Sequence, residues 1–352
     1  MSGFKPTVAY RLVAAAICLL VLLGLIETVV RLAGVDTYFQ NRTFVLNRAL
    51  DYPDVFMKDA DLFWQLRPNQ TITSRFFEGK TYHINALGLR GREVSETTSG
   101  CRIMALGNSC TFGWGVSLEE TYTAQLETML TDRCEVINAG VPGYTSLQGR
   151  RLFQRRLVGL QPDIVLILFA WNDHWAAAGQ ISDKQQQFPP PAILTVQNVL
   201  SRFHSYRLMK KLLLNTIERH PDSTWDRSQP VYRVGLTDFA DNLAAICRSV
   251  HQVGATPVLL TSPIPSLVSY YPPGSRSPMH DFHERYNRTI RGVAAADGIE
   301  LVDLAHDFDE HNDLFDDAKR DPTHFNARGH RLAAQSIAQH LYDCCLSAKD
   351  TL

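Results

Sequence analysis

Five short apolar runs separated by helix-like segments constrain this chain more than any other feature. They are Arg102-Ile103-Met104-Ala105-Leu106, Glu135-Val136-Ile137, Asp163-Ile164-Val165-Leu166-Ile167-Leu168-Phe169, and the stretches 256–262 and 299–303. Runs of this length and type, bounded by turn residues, read as strands buried on both faces. Strands that alternate with helices build a parallel sheet covered on both sides. The pattern predicts strands at 102–107, 135–139, 163–169, 256–262 and 299–303, with helices at 119–131, 146–159, 236–253, 279–297 and 327–345. Five such strands suit a flavodoxin-like order, in which ligands gather at the carboxyl edge of the sheet near the switch point.

Polar residues close these runs. Gly107-Asn108-Ser109-Cys110-Thr111-Phe112-Gly113 follows the first and puts the Ser109 hydroxyl at that edge, a place that equally suits a helix-capping serine. Far downstream stands Asp321-Pro322-Thr323-His324, just before the last helix. A nucleophilic serine needs a base to take its proton, and the base needs an anion to fix its tautomer. Asp-x-x-His supplies both from one short turn. Asn138-Ala139-Gly140 and Ala170-Trp171-Asn172-Asp173 close the second and third runs. A glycine N–H and an asparagine amide at adjacent strand ends are suitable donors to a developing oxyanion.

Four polar blocks in this order resemble the SGNH (GDSL-type) hydrolases, over roughly residues 100 to 345, and in particular their exported, membrane-anchored members. The resemblance implies a three-layer α/β flavodoxin-like fold, a serine hydrolase acting on ester bonds, and no cofactor. Carried over residue by residue, it implies Ser109 as nucleophile and Asp321 and His324 as its partners. The oxyanion donors would be the Ser109 N–H, the Gly140 N–H and the Asn172 side chain. Two positions depart from the family pattern. Asn108 stands where the family has aspartate, keeping an acceptor oxygen but losing the charge. Trp171 stands where glycine is usual, and either narrows the acyl pocket or packs beside the sheet. The α/β-hydrolase elbow Gly-x-Ser-x-Gly does not fit, because its last position is Thr111. His174, His330, Asp316 and Asp317 are expected to be structural or surface groups rather than alternative catalytic partners. Phe112, Trp114, Tyr144, Trp171 and Trp175 lie near the strand ends, as core or as the lining of an acyl or sugar pocket.

The N-terminus sets the expected location. From Leu12 to Val30 the only charge is Glu27, and a helix of about 19 residues spans roughly 28 Å. Roughly a dozen Leu, Ile and Val residues at about −0.3 to −0.6 kcal/mol each outweigh one acidic group at about 3 kcal/mol. Lys5 and Arg11 precede the run, which keeps the N-terminus cytoplasmic and exports the body to the periplasm or its equivalent. No Ala-x-Ala site follows, and Leu32-Ala33-Gly34-Val35 lacks a lipoprotein cysteine, so an uncleaved anchor is expected over a signal peptide. The expected organisation is a tail 1–11, an anchor 12–33, a β-rich extension 34–99 and a hydrolase domain 100–348 with an insertion at 176–235. The extension alternates at Trp64–Asn69 and Tyr82–Gly91 and is assigned to packing against the domain or shaping its cleft. Within the insertion, Ile193 to Ile217 reads as one amphipathic helix with Arg202, Arg207, Lys210 and Lys211: a lid, a bilayer contact or a covering helix.

The formal net charge of −1 gives no electrostatic footprint for nucleic acid. Cys101 and Cys134 each precede a strand-ending glycine by six residues, so on adjacent parallel strands they stand level, as a suspected disulfide in an oxidising compartment or as reduced core cysteines. Cys247 could meet Cys344 or Cys345. No Cys-x-x-Cys or His-Glu-x-x-His spacing occurs, and no metal is expected. The expected substrate is an acyl ester, an O-acyl group on an envelope glycan or a lipid. The rival readings are an O-acyltransferase that passes the acyl group to a glycan hydroxyl, and a catalytically degenerate glycan-binding scaffold.

Overall fold

The computed structural model describes residues 8–35, 51–73, 79–96, 100–130, 134–177, 180–218, 231–266, 278–309, 311–317 and 321–342. In chain order the main elements are α1 (Val8–Ala33), β1 (Gln70–Thr73), β2 (Thr81–Ile84), β3 (Cys101–Gly107), α2 (Ser109–Phe112), α3 (Tyr122–Met129), β4 (Cys134–Gly140) and α4 (Ser146–Leu152). Next come β5 (Ile164–Leu168), α5 (Pro191–Leu200), α6 (His204–Glu218), α7 (Leu236–Gln252), β6 (Thr256–Leu260) and α8 (Pro278–Asp297). The last are β7 (Glu300–Val302), β8 (Phe315–Asp317), β9 (Asp321–Phe325) and α9 (Ala327–Leu341). The chain divides into two compact units, Met1–Lys58 with Pro189–Thr224, and Asp59–Phe188 with Trp225–Leu352. Residues from Asp59 onward of the expected extension thus belong to the unit that carries the sheet, and the helices of the insertion group with the N-terminal helix.

In the larger unit the five apolar runs form one parallel sheet in the order β4-β3-β5-β6-β7. This is the flavodoxin-like order, with the switch point between β3 and β5. The central strand explains its own composition: Ile103, Met104, Ala105 and Leu106 have no exposed surface. Ile103, Ala105, Leu166, Leu168 and Val258 share one core with Tyr122 and Leu126 of α3 and Ala333 and Ile337 of α9. Alternate strand residues point to the opposite face, and the remaining helices α4, α7 and α8 pack in turn against one another. On α7, Phe239, Leu243, Ile246 and Val250 recur at helical spacing and are all buried. Each such side chain contributes about 1.5–3 kcal/mol on leaving water.

Three local features differ from expectation. The segment expected as a helix over 146–159 is α-helical only to Leu152, followed by one π turn at Phe153–Leu157 and a 3₁₀ turn at Val158–Leu160. Asp321 and His324 sit not in a turn but on β9, which pairs antiparallel with β8 (Phe315↔Phe325, Asp317↔Asp321). Cys101 and Cys134 do stand level on β3 and β4, yet both remain thiols and the suspected disulfide is not formed. Directly paired residues on parallel strands hold their Cβ atoms about a strand spacing apart, roughly 4.8 Å. A disulfide needs about 3.8 Å. Cys344 and Cys345 lie outside the described residues.

The hairpin of β1 and β2 reaches the sheet through Arg90, which bridges to both Ile84 and Asn138. The outer edge of β4 is thereby covered, which protects an otherwise open row of backbone groups.

Buried histidines make this unit acid-sensitive. His174 Nε2 lies 2.9 Å from His283 Nδ1, and His330 Nδ1 accepts the Tyr122 N–H. Burial pulls His174 down to about 4 and His330 to about 3. Below the unfolded value of about 6.5 the unfolded chain binds protons that the fold refuses. Their contribution is therefore complete above about pH 6.5 and is lost as pH falls toward 4 and then 3. Thermal melts are expected to show about 2 kcal/mol lost per histidine between about pH 6.5 and 5. An unchanged melting temperature over that interval would contradict the assignment.

In the smaller unit, α1 is long and apolar enough to cross a membrane, with a mean hydropathy of 2.7 over its most apolar window and none of that window buried. The segment expected as one helix over 193–217 is two, α5 and α6, interrupted at Ser201–Phe203. The Ser201 hydroxyl donates to Asn198 O, turning the chain out of α5.

Candidate active site

The carboxyl end of β3 turns at once into α2. That turn requires Gly107, because a Cβ there would stand 2.1 Å from Thr111 Oγ1. Asn108 caps α2 by accepting the Cys110 N–H on its Oδ1 at 2.9 Å. The family aspartate and this asparagine share that acceptor, so the departure at 108 leaves the turn in place. Its amide nitrogen is buried without a hydrogen-bond partner.

Ser109 opens α2, and its Oγ lies 2.9 Å from His324 Nε2. His324 Nδ1 lies 2.6 Å from Asp321 Oδ2, while Asp321 Oδ1 accepts the Thr323 and His324 N–H groups at 3.2 and 3.3 Å. Burial works to raise the Asp321 carboxyl, but the His324 hydrogen bond and charge together with these N–H groups hold it below its usual value. An ionised Asp321 on Nδ1 leaves Nε2 as the acceptor facing the serine hydroxyl. Serine, imidazole and carboxylate are thus joined in one hydrogen-bonded row.

Two contacts that the sequence did not disclose hold this row together. The Cys110 thiol donates to Thr323 O at 3.2 Å, tying α2 to the segment that carries Asp321 and His324. Burial pushes that thiol far above its ordinary value, so it stays protonated and is no rival nucleophile. The Trp114 ring stacks on His324, with centroids 5.3 Å apart and planes 17° from parallel. Trp114 sits in a loop clamped by buried Arg90, whose guanidinium donates to Phe112 O, Gly113 O and Val116 O at 2.7, 2.5 and 2.8 Å. The same guanidinium lies 4.3 Å from the Tyr82 ring centroid and 5.1 Å from that of Phe112.

Of the expected oxyanion donors, the Ser109 N–H makes no hydrogen bond among the described residues. Asn172 is 6% exposed, and its side-chain nitrogen gives one hydrogen to Tyr144 O at 3.1 Å, leaving the other available. Gly140 differs from expectation, because its N–H donates to Asn138 Oδ1 at 3.0 Å. Its lack of a side chain serves packing: a Cβ would fall 2.1 Å from Phe112 N. Three residues on, the Gly143 N–H makes no hydrogen bond among the described residues, and Asn172 bonds to the carbonyl of the next residue, Tyr144. The segment Gly140-Val141-Pro142-Gly143 carries two glycines, of which only the first is among the expected donors.

Trp171 packs beside the sheet rather than into a pocket; its indole is 2% exposed and donates to Pro263 O. Phe112 and Tyr144 are also core, and Trp175 is 40% exposed. Asp173 accepts the Ser146 N–H and hydroxyl, His174 pairs with His283, and His330 faces Tyr122, so none of them joins the row. His324 takes its carboxylate from Asp321, not from Asp316 or Asp317. Ala170, which links β5 to this block, has φ 138, a conformation that costs a side-chain-bearing residue about 1–3 kcal/mol. Allowing for the greater entropy of glycine when unfolded, Ala170→Gly is expected to stabilise the fold by about 1 kcal/mol. Denaturant midpoints check this, and an unchanged or lower midpoint would contradict it.

A serine, histidine and aspartate at the carboxyl edge of a flavodoxin-like sheet define a serine hydrolase of the SGNH type. Residues 105–332 match the model of the GDSL-like lipase/acylhydrolase family, and the chain belongs to that family. Among solved structures, it is similar to an acetyl xylan esterase, AlAXEase, at 18% identity over 68% of this chain and 98% of that one, with a TM-score of 0.45. An acetylxylan esterase from Geobacillus stearothermophilus is 16% identical over 70% of this chain and 96% of its own, with a TM-score of 0.45. The lipase/acylhydrolase from Enterococcus faecalis is 18% identical over 68% and 95%, with a TM-score of 0.42. No curated protein matches the chain.

Proposed function

We propose that this hydrolase cleaves O-acyl esters of envelope glycans or lipids through an acyl-enzyme on Ser109. The observation that carries the reading is the row from Ser109 through His324 to Asp321. Ser109 Oγ attacks the ester carbonyl while His324 Nε2 takes its proton, and the alcohol leaves with that proton. Water then attacks the acyl-serine, giving a proton to His324, and the released serine oxygen takes it back. Asp321 holds the imidazole and balances its charge. The Ser109 N–H, the remaining Asn172 hydrogen and the Gly143 N–H are the donors assigned to the oxyanion. Replacing Asn172 with alanine is expected to lower kcat by about 10²–10³ with little change in KM. Equal kcat values for the two proteins would remove Asn172 from that role.

The N-terminal helix is read as an uncleaved anchor, with the N-terminus cytoplasmic and the body periplasmic. The test is labelling of the full chain by a fluorophosphonate probe and turnover of short-chain p-nitrophenyl esters, beside His324→Ala. Labelling and turnover in the parent alone support the reading. A folded parent that neither labels nor turns over would favour the glycan-binding scaffold. Adding a sugar acceptor separates hydrolysis from transfer, since an acyltransferase would yield acylated sugar in place of free acid.

A further inference from the structure

Two consecutive helices of the smaller unit, α5 and α6, turn most of their apolar side chains outward and polar ones inward. On α6, Met209, Leu212 and Leu213 are 59%, 45% and 58% exposed, whereas Arg207 and Lys211 are buried at 7% and 4%. Lys211 reaches Asp51 at 2.8 Å, and Arg207 donates to Ser201 O at 3.3 Å. On α5 and the turn after it, Val196, Val199 and Phe203 face outward, and Leu194 is the one apolar residue of α5 that is buried. The polar Asn198 of α5 faces inward, bonded to the Lys58 backbone through both its oxygen and its nitrogen. A helix of a water-soluble domain turns its apolar side to the core and its charges to water. Here the apolar sides of two consecutive helices point away from the protein, which marks a surface made for an apolar partner.

The identity of that partner follows from α1. Glu27 of α1 accepts the N–H groups of His204 and Ser205 at 3.0 and 2.9 Å and the Ser205 hydroxyl at 2.8 Å, capping the start of α6. Glu27 stands about one turn before the end of the apolar run Leu12–Val30. The cap therefore fixes the beginning of α6 at the depth where that run leaves the hydrocarbon. Within Val8–Ala33 only Ala14, Glu27 and Val30 are half-buried and the other residues are exposed, and α6 packs against α1, so the outward face of α6 stands beside the exposed apolar surface of α1.

We propose that α5 and α6 lie in the membrane–water interface at the C-terminal end of α1. Val196, Val199, Phe203, Met209, Leu212 and Leu213 are immersed among lipid acyl chains, and Glu27 is the clasp between span and interfacial helices. Such a helix buries its apolar face roughly 5–10 Å into the headgroup and acyl boundary. The inference rests on reading α1 as a retained membrane span. Its test reconstitutes the full chain in phosphatidylethanolamine–phosphatidylglycerol vesicles with a trace of diazirine-acyl phospholipid, followed by illumination and peptide mapping. Adducts are expected on α1 and also within 193–213. In Val199→Asp/Leu213→Asp the second group is expected to disappear while adducts on α1 and turnover of p-nitrophenyl acetate remain. Adducts on α1 alone in the parent protein would overturn the proposal, and adducts on neither would overturn the span reading with it. A concentration-dependent dimer that the double variant abolishes would assign the face to a second copy of the chain instead.

Discussion

Ser109→Ala is expected to lower kcat for p-nitrophenyl acetate by about 10⁴–10⁶ while leaving the fold and melting temperature unchanged. In the proposed mechanism the hydroxyl is the only group of the row that forms a bond to the substrate, so no neighbour is expected to replace it. Cys110 is adjacent in sequence but buried, protonated and engaged with Thr323 O. The alanine side chain is smaller than serine and fits the first turn of α2 without displacing Asn108 or Gly107. Residual catalysis would come from the oxyanion donors and binding, which elsewhere leave about 10³–10⁴ over water. His324→Ala is expected to fall nearly as far, since members of such a row act as a unit. A Ser109→Ala protein with more than a hundredth of parental kcat would place the nucleophile elsewhere.

Arg90→Met is expected to be the most damaging change outside the row. It removes the donor to three carbonyls, at Phe112 where α2 ends and at Gly113 and Val116 in the turn that follows. Val116 O would be left unpaired, at about 1–3 kcal/mol, while Phe112 O and Gly113 O would keep only long bonds of 3.4 Å from Asn138 Nδ2 and the Val116 N–H; the desolvation that the buried guanidinium no longer incurs offsets part of this. A net loss of about 2 kcal/mol is expected by urea unfolding. The same turn carries Trp114 against His324, so kcat should also fall, by roughly tenfold or more, in protein that remains folded. Arg90→Lys should recover only part of either quantity, because a single ammonium cannot reproduce the fork that reaches three carbonyls. A methionine variant that unfolds at the parental midpoint would show that the clamp contributes nothing.

Much of this was legible because it depends on local pattern. The parallel strands follow from apolar runs too short for helices, Ser109 and Asn172 are conspicuous as polar residues closing such runs, and Asp321 and His324 as an Asp-x-x-His just before the last helix. The parts that were not legible depend on contacts distant in sequence. Arg90 looks like an ordinary exposed turn residue until the chain brings Phe112, Gly113 and Val116 around it. Gly140 has the position of an oxyanion donor, but whether its N–H is open depends on where Asn138 Oδ1 points. Cys101 and Cys134 were placed level correctly, and the strand spacing then kept them apart. The reversed polarity of α6 was visible as an amphipathic pattern, yet only the fold shows which of its sides faces inward.

The most direct test of the central claim is a rapid acid quench of the full chain mixed with p-nitrophenyl acetate, followed by peptide mapping. The account predicts a burst of p-nitrophenol close to one equivalent and a single acetyl group on the peptide bearing Ser109, absent in Ser109→Ala. Turnover without a burst and without acetyl-Ser109, or an acetyl group on any other residue, would contradict it.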